Sequence, residues 1–169
     1  DYLYAKVLNI LVDIDDKEIL KTISSVAQEM GEGELLQQEN AREYNLTEDR
    51  YYEVIRKKTA VLFSACCKIG AIASNATNEE IKTMALFGEY LGIAFQIQDD
   101  VLDVYGDPSN FGKAIGGDIC CNKKTFLLIT ALDIADAESK ASLLQWLITS
   151  NNDTEKIQAV TALYTQLGV

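Results

Sequence analysis

The sequence predicts an all-α fold, and three observations carry the prediction. Apolar residues make up 48% of the 169 positions, and they recur at helical spacing over long uninterrupted stretches. A single proline, Pro108, punctuates the chain, where a fold of many short strands would need frequent turn residues. The length is enough for one domain with a sizeable core, so residues 1–169 read as a single helical domain.

Taken in order, helical periodicity covers about Asp1 to Val12 and then Lys17 to Met30, with Asp15 or Asp16 placed to cap the second segment. Gly31 and Gly33 are expected to interrupt or loosen it before the pattern resumes from Glu34 to Tyr44. Thr47 is placed as the N-cap of a helix from about Glu48 to Ala73. A turn at Asn75 to Asn78, with Thr77 or Asn78 as cap, leads into a helix from Glu79 to Tyr105. Gly106 to Gly117 reads as a glycine-rich loop. Two helices follow, about Asn122 to Ala135 and Glu138 to Leu147, then a polar loop from Thr149 to Asp153 and a final helix through Ile157 to Leu167. The chain opens on Asp1 inside an amphipathic pattern and leaves its last helix abruptly at Gly168-Val169, so both ends read as cuts.

Charge narrows the partners. The formal net charge of −11 disfavours a nucleic-acid backbone or an anionic membrane surface. No apolar run is long enough to span a bilayer and no signal peptide opens the sequence, so a soluble, cytoplasmic protein is expected. The four cysteines form two vicinal pairs, Cys66-Cys67 and Cys120-Cys121, which fits neither zinc spacing nor a disulfide framework; they read as reduced, mostly buried, small apolar residues. Histidine is absent, which removes the commonest general base and transition-metal ligand. Any catalysis has to rest on charge.

The most informative stripe is Gln96, Asp99, Asp100 and Asp103, spaced i, i+3, i+4, i+7 on a segment otherwise apolar nearly all round. That spacing puts the four side chains on one face, and the apolar surroundings predict a buried helix. Three such carboxylates repel one another unless a cation lies among them. Oxygen ligands select Mg2+ or Mn2+, and Mg2+ takes one or two carboxylates together with phosphate oxygens and water. A phosphorylated substrate is thereby implied; the alternative is a solvated charge stripe.

Two basic features accompany it. Lys58 falls in the middle of an apolar stripe formed by Tyr51, Val54, Ile55, Leu62, Ala65, Ile69 and Ile72, whereas Lys57 does not. An ammonium there either snorkels to water or meets a buried anion. Lys113 lies in the glycine-rich loop, and Lys123 and Lys124 are expected to open the next helix, where exposed N–H groups favour an anion.

Phe95-Gln96-Ile97-Gln98-Asp99-Asp100-Val101-Leu102-Asp103 resembles the second aspartate-rich motif of the trans-prenyltransferases, the all-trans polyprenyl diphosphate synthases of the farnesyl and geranylgeranyl diphosphate synthase type. Lys58-Thr59-Ala60, Gly106-Asp107, Phe111-Gly112-Lys113 and Gly117-Asp118 through Lys123-Lys124-Thr125 resemble flanking segments of the same family, in the same order. Asp1-Tyr2-Leu3 and Gly33-Glu34 with Gln37 extend the likeness toward the start. The family's first aspartate-rich motif lies upstream of anything in these 169 residues.

The resemblance implies an isoprenoid-synthase-type helical bundle lacking N-terminal and final helices. It implies a Mg2+-dependent condensation of an allylic diphosphate with isopentenyl diphosphate. By position in the motifs, Asp99, Asp100 and Asp103 would serve the metal. Lys58, Lys113 and Lys123 would hold the allylic diphosphate, while Thr59 and Gln96 would line the cation pocket. The 169 residues alone are expected to be inactive. A homodimer is implied, with contacts through residues 17–44 and 51–73. Two alternatives stand beside this: a noncatalytic regulatory or partner subunit, and a class I terpene cyclase.

Overall fold

A computed structural model describes residues 2–43, 47–107, 109, 115–149 and 153–169, and among them there is no strand. The elements are α1 (Tyr2–Ile14), α2 (Lys17–Asn40), α3 (Glu48–Ile55), a π-helical turn (Arg56–Ala60), α4 (Val61–Ala73), α5 (Asn78–Tyr105), a short α6 (Gly117–Cys120), α7 (Phe126–Ile134), α8 (Ala137–Ile148) and α9 (Asp153–Leu167). Side-chain caps set the starts. Asp16 Oδ1 accepts from the Glu18 and Ile19 amides at 2.8 and 3.0 Å, and Thr47 Oγ1 accepts from Arg50 N at 3.4 Å. Thr77 and Glu80 form a reciprocal capping box at α5, and Asp136 caps α8 through Ser139 N. The chain divides into two compact units interleaved in sequence: residues 1–35 with 55–93, and residues 36–54 with 94–169.

In the first unit Leu11, Ile19, Val26, Ile55, Ala60, Ala65 and Ala71 are buried. The expected break at Gly31 and Gly33 does not occur, because α2 runs straight through both. A glycine costs a helix only about 1 kcal/mol, and packing decides the matter at Gly33. A Cβ there would lie 2.8 Å from Lys58 N and 2.9 Å from Lys57 Cβ. On the other side, a Cβ on Gly92 would stand 2.5 Å from Ala60 Cα, and one on Gly88 would stand 2.5 Å from Phe63 O. Three helix backbones thus approach closely around the π turn.

That turn also corrects the helical wheel. A π turn holds more residues than an α turn, so side chains beyond it rotate out of the phase that a 3.6-residue period assigns. Leu62, placed on the apolar stripe by spacing, is exposed. Lys57 is the more buried of the two lysines, its side chain 22% exposed against 40% for Lys58.

The second unit packs around Val104, Ile119, Leu127, Leu128, Ala131, Leu143, Val160 and Tyr164. Gly116, at φ 82°, turns the chain into α6, where a Cβ would meet Ile157 Cγ1 at 2.7 Å. Helix α7 begins at Phe126, later than spacing predicts, because Thr125 is its N-cap and accepts from Leu128 N at 3.3 Å. Lys123 and Lys124 therefore precede that helix and do not lie in its first turn.

Two further expectations fail. The cysteines are not mostly buried: Cys66 and Cys121 are exposed, and Cys67 and Cys120 are only half-buried. Helix α5 is not buried all round: Leu86, Phe87, Tyr90, Leu91 and Phe95 are exposed in this chain. Exposed apolar side chains also crowd α1, including Tyr2, Leu3, Ile10 and Val12.

Candidate functional site

The site is built on the last turns of α5 in the second unit. Asp100 is fully buried, and four donors from four places in that unit converge on it. Its Oδ1 accepts from Lys123 Nζ at 3.1 Å and from Gln96 Nε2 at 3.2 Å. Its Oδ2 accepts from the Tyr51 hydroxyl at 2.8 Å and, more distantly, from Phe126 N at 3.4 Å. Phe126 N is the first amide of α7, so the carboxylate also meets the positive end of that helix.

Lys123 reaches this position from the turn between α6 and α7. Its ammonium donates to Asp118 Oδ2 at 2.6 Å as well as to Asp100. Asn122 before it adopts a left-handed conformation at φ 55° and accepts at Oδ1 from Lys156 Nζ at 2.6 Å. Lys156 is itself only 4% exposed. Asp103 fixes the other end of the segment: its carbonyl accepts from Gly116 N at 2.7 Å, and its Oδ2 from Asp118 N at 2.9 Å.

These placements set the protonation of the cluster. Burial alone would pull the Lys123 ammonium down, but the hydrogen bond to Asp118 and the Asp100 and Asp118 charges outweigh it and raise its pKa. Burial pushes the Asp118 carboxyl up against the pull of Lys123. Burial, then the Asp100 charge, drives the Tyr51 phenol far above its ordinary range, so it remains a donor. Lys124, half-buried, is lowered by desolvation.

Asp99 differs from its neighbour. It is half-buried and has no hydrogen-bond or ion-pair partner among the described residues. An open carboxylate of this kind suits a hard cation that completes its shell with phosphate oxygens and water. Among the described residues no three acidic, cysteine or histidine side chains form a metal-holding cluster.

Lys58 and Thr59 belong to the first unit, where Lys58 Nζ pairs with Glu34 Oε2 at 2.7 Å and Lys57 Nζ with Glu32 Oε2 at 2.7 Å. Phe111, Gly112 and Lys113 lie outside the described residues. Lys156 was not singled out from sequence, Tyr51 was placed only as a member of an apolar stripe, and Asp118 was noticed only as part of a motif. A buried tyrosine hydroxyl needs a partner, which is the one signal that marked Tyr51.

The model of the polyprenyl synthetase family matches residues 1–166. The chain belongs to the polyprenyl synthetase family. Among curated members, the short chain isoprenyl diphosphate synthase of Methanocaldococcus jannaschii is 38% identical over 162 residues, covering 94% of this chain and 49% of the relative. The crystal structure of a decaprenyl diphosphate synthase from Rhodobacter capsulatus superposes with a TM-score of 0.89 at 33% identity, over 99% of this chain and 52% of that one. A polyprenyl synthase from Caulobacter crescentus, crystallised with calcium and isoprenyl diphosphate, gives a TM-score of 0.92 at 26% identity, over 99% of this chain and 51% of that one. This polyprenyl synthetase chain spans about half the length of the curated relatives it matches, and it has their all-helical isoprenoid-synthase fold. No described helix is long and apolar enough to cross a membrane.

Proposed function

We propose that this chain carries the later half of a prenyl-transfer site, which joins an allylic diphosphate to isopentenyl diphosphate in isoprenoid biosynthesis. The observation that carries the reading is the open Asp99 carboxylate, next in sequence to the buried Asp100 that grips the Lys123 ammonium. Asp99, supported by Asp103, is assigned to Mg2+, for which Mn2+ substitutes. The calcium in the Caulobacter relative supports a divalent cation in this fold. When bound, the ion supplies positive charge that favours diphosphate as a leaving group.

The side chains do the rest by electrostatics. Lys123 donates to the departing diphosphate, with Lys58 and Lys113 assigned the same ligand from their motifs. As the allylic C–O bond breaks, both electrons leave with the diphosphate, and ammonium contacts strengthen as that charge develops. The isopentenyl double bond attacks the allylic carbon to form the new C–C bond, and a proton then leaves the product. Thr59 and Gln96 are assigned to the cation, facing it with oxygen dipoles. The reaction class is that of dimethylallyl- and geranyltransferases, and the working species is a homodimer.

The 169 residues alone are proposed to bind Mn2+ with inorganic pyrophosphate but to condense no substrate. In the full-length protein Asp99→Ala is expected to lower turnover of dimethylallyl and isopentenyl diphosphates about a hundredfold or more, the worth of a preorganised charge contact. Unchanged turnover would remove Asp99 from the site, and product formed by residues 1–169 would overturn the inactivity of the isolated chain.

A further inference from the structure

We infer that Asp100 is an internal anchor and not a metal ligand, and that Tyr51 and Asp100 are positioning residues that hold the Lys123 ammonium in place for an anionic substrate. The anchoring itself stands on geometry; its purpose rests on the prenyl-transfer reading.

A carboxylate has about four lone-pair sites, and all four of Asp100 are met from within the second unit. Lys123 and Gln96 bond Oδ1, while Tyr51 and the Phe126 amide bond Oδ2. The side chain is fully buried, so a cation could reach it only by displacing these donors. Displacement would strand a tyrosine hydroxyl that is 4% exposed with its residue and break the ion pair of Lys123. Buried polar groups left unmet cost about 1–3 kcal/mol each.

Asp99 is one residue away, about 100° around the helix, and among the described residues none of its oxygens is engaged. Adjacent acids that look alike in sequence are therefore split in role by the packing around them. The Lys123 ammonium has three donors. Asp100 and Asp118 take two of them, which fixes the direction of the third. With a side chain 29% exposed, that third N–H is accessible to a phosphoryl oxygen. Tyr51 contributes by clamping Oδ2, which keeps Oδ1 turned toward Lys123.

The test observes the ammonium directly by 15Nζ–1H NMR of the 169-residue chain, with the Lys123 signal identified by its loss in Lys123→Met. The wild-type signal is expected to exchange slowly with water. Tyr51→Phe, which removes one oxygen, should shift it and speed its exchange at least tenfold. Asp99→Asn should leave it in place. An unchanged signal in Tyr51→Phe would overturn the anchor, and this variant carries the test if Asp100→Asn does not fold. Mn2+ uptake with no phosphate ligand present, so that a displaced Lys123 does not enter the readout, is followed by electron paramagnetic resonance and supplies the second arm. Asp100→Asn should retain uptake within threefold, and Asp99→Asn should lose it at least tenfold. Loss in Asp100→Asn at an unchanged melting temperature would make Asp100 a ligand and overturn the inference. If the wild-type chain takes up no Mn2+, the metal assignment fails while the Lys123 signal still decides the anchor.

Discussion

Three carboxylates at helical spacing announce a charged stripe, but what each one does depends on what folds over it. Asp100 is covered by Tyr51, the α7 start and Lys123, partners up to 49 positions away in sequence. No local pattern reveals such partners. The residue types were legible; the division of labour between Asp99 and Asp100 was not, because it is made by tertiary contacts. The same contacts give a pH dependence with a definite sign. The Lys123 pKa is raised in the folded chain, so its contribution to stability is complete below the unfolded lysine value of about 10.4 and is lost as pH rises through the higher folded value. Urea unfolding midpoints should therefore fall on the alkaline side of about pH 10.4, and Lys123→Met should show a shallower fall. Equal slopes for the two proteins would mean that the ammonium is not held as described.

Most elements could be read from periodicity and capping residues, as Thr47, Thr77 and Asp16 show. The exceptions have separate physical causes. A period of 3.6 cannot register a π turn, and so Lys57 and Leu62 were assigned to the wrong depths. Nor can composition tell a helix-breaking glycine from one that admits a neighbouring backbone. Gly31 and Gly33 form a natural control, since a Cβ at Gly31 meets nothing within 4 Å and one at Gly33 meets Lys58 N at 2.8 Å. Gly31→Ala is expected to stabilise the chain by about 0.4–1 kcal/mol. Gly33→Ala should destabilise it by about 1–3 kcal/mol, the usual cost of overpacking. Thermal melts of the pair check this; a gain in both would mean that the π turn does not press on α2.

At the scale of the molecule, the exposed apolar side chains lie chiefly on α1 and α5, and the segments expected to pair two copies carry few, among them Leu20, Leu35 and Leu62. Large apolar side chains exposed in such number along a helix suit association with another surface. Sedimentation of the 18.7 kDa chain is therefore expected to show species of at least twice that mass, and Leu3→Glu with Val12→Glu should shift them toward monomer. A monomer at all concentrations would count against the homodimer. The family and fold class were visible in ordered motifs along nearly the whole sequence, whereas the location of this apolar surface was not, since periodicity says which side of a helix is apolar but not whether anything covers it. The interleaving of the two units has its own consequence for biogenesis. Residues 36–54 leave the ribosome before the 94–169 stretch with which they pack, and chains emerge N-terminus first at roughly 5–20 residues per second. For those seconds Tyr51 lacks the Asp100 and Phe126 side chains it later meets, and a segment as short as the eight residues of α3 holds no helix by itself, so the second unit waits on the rest of its message.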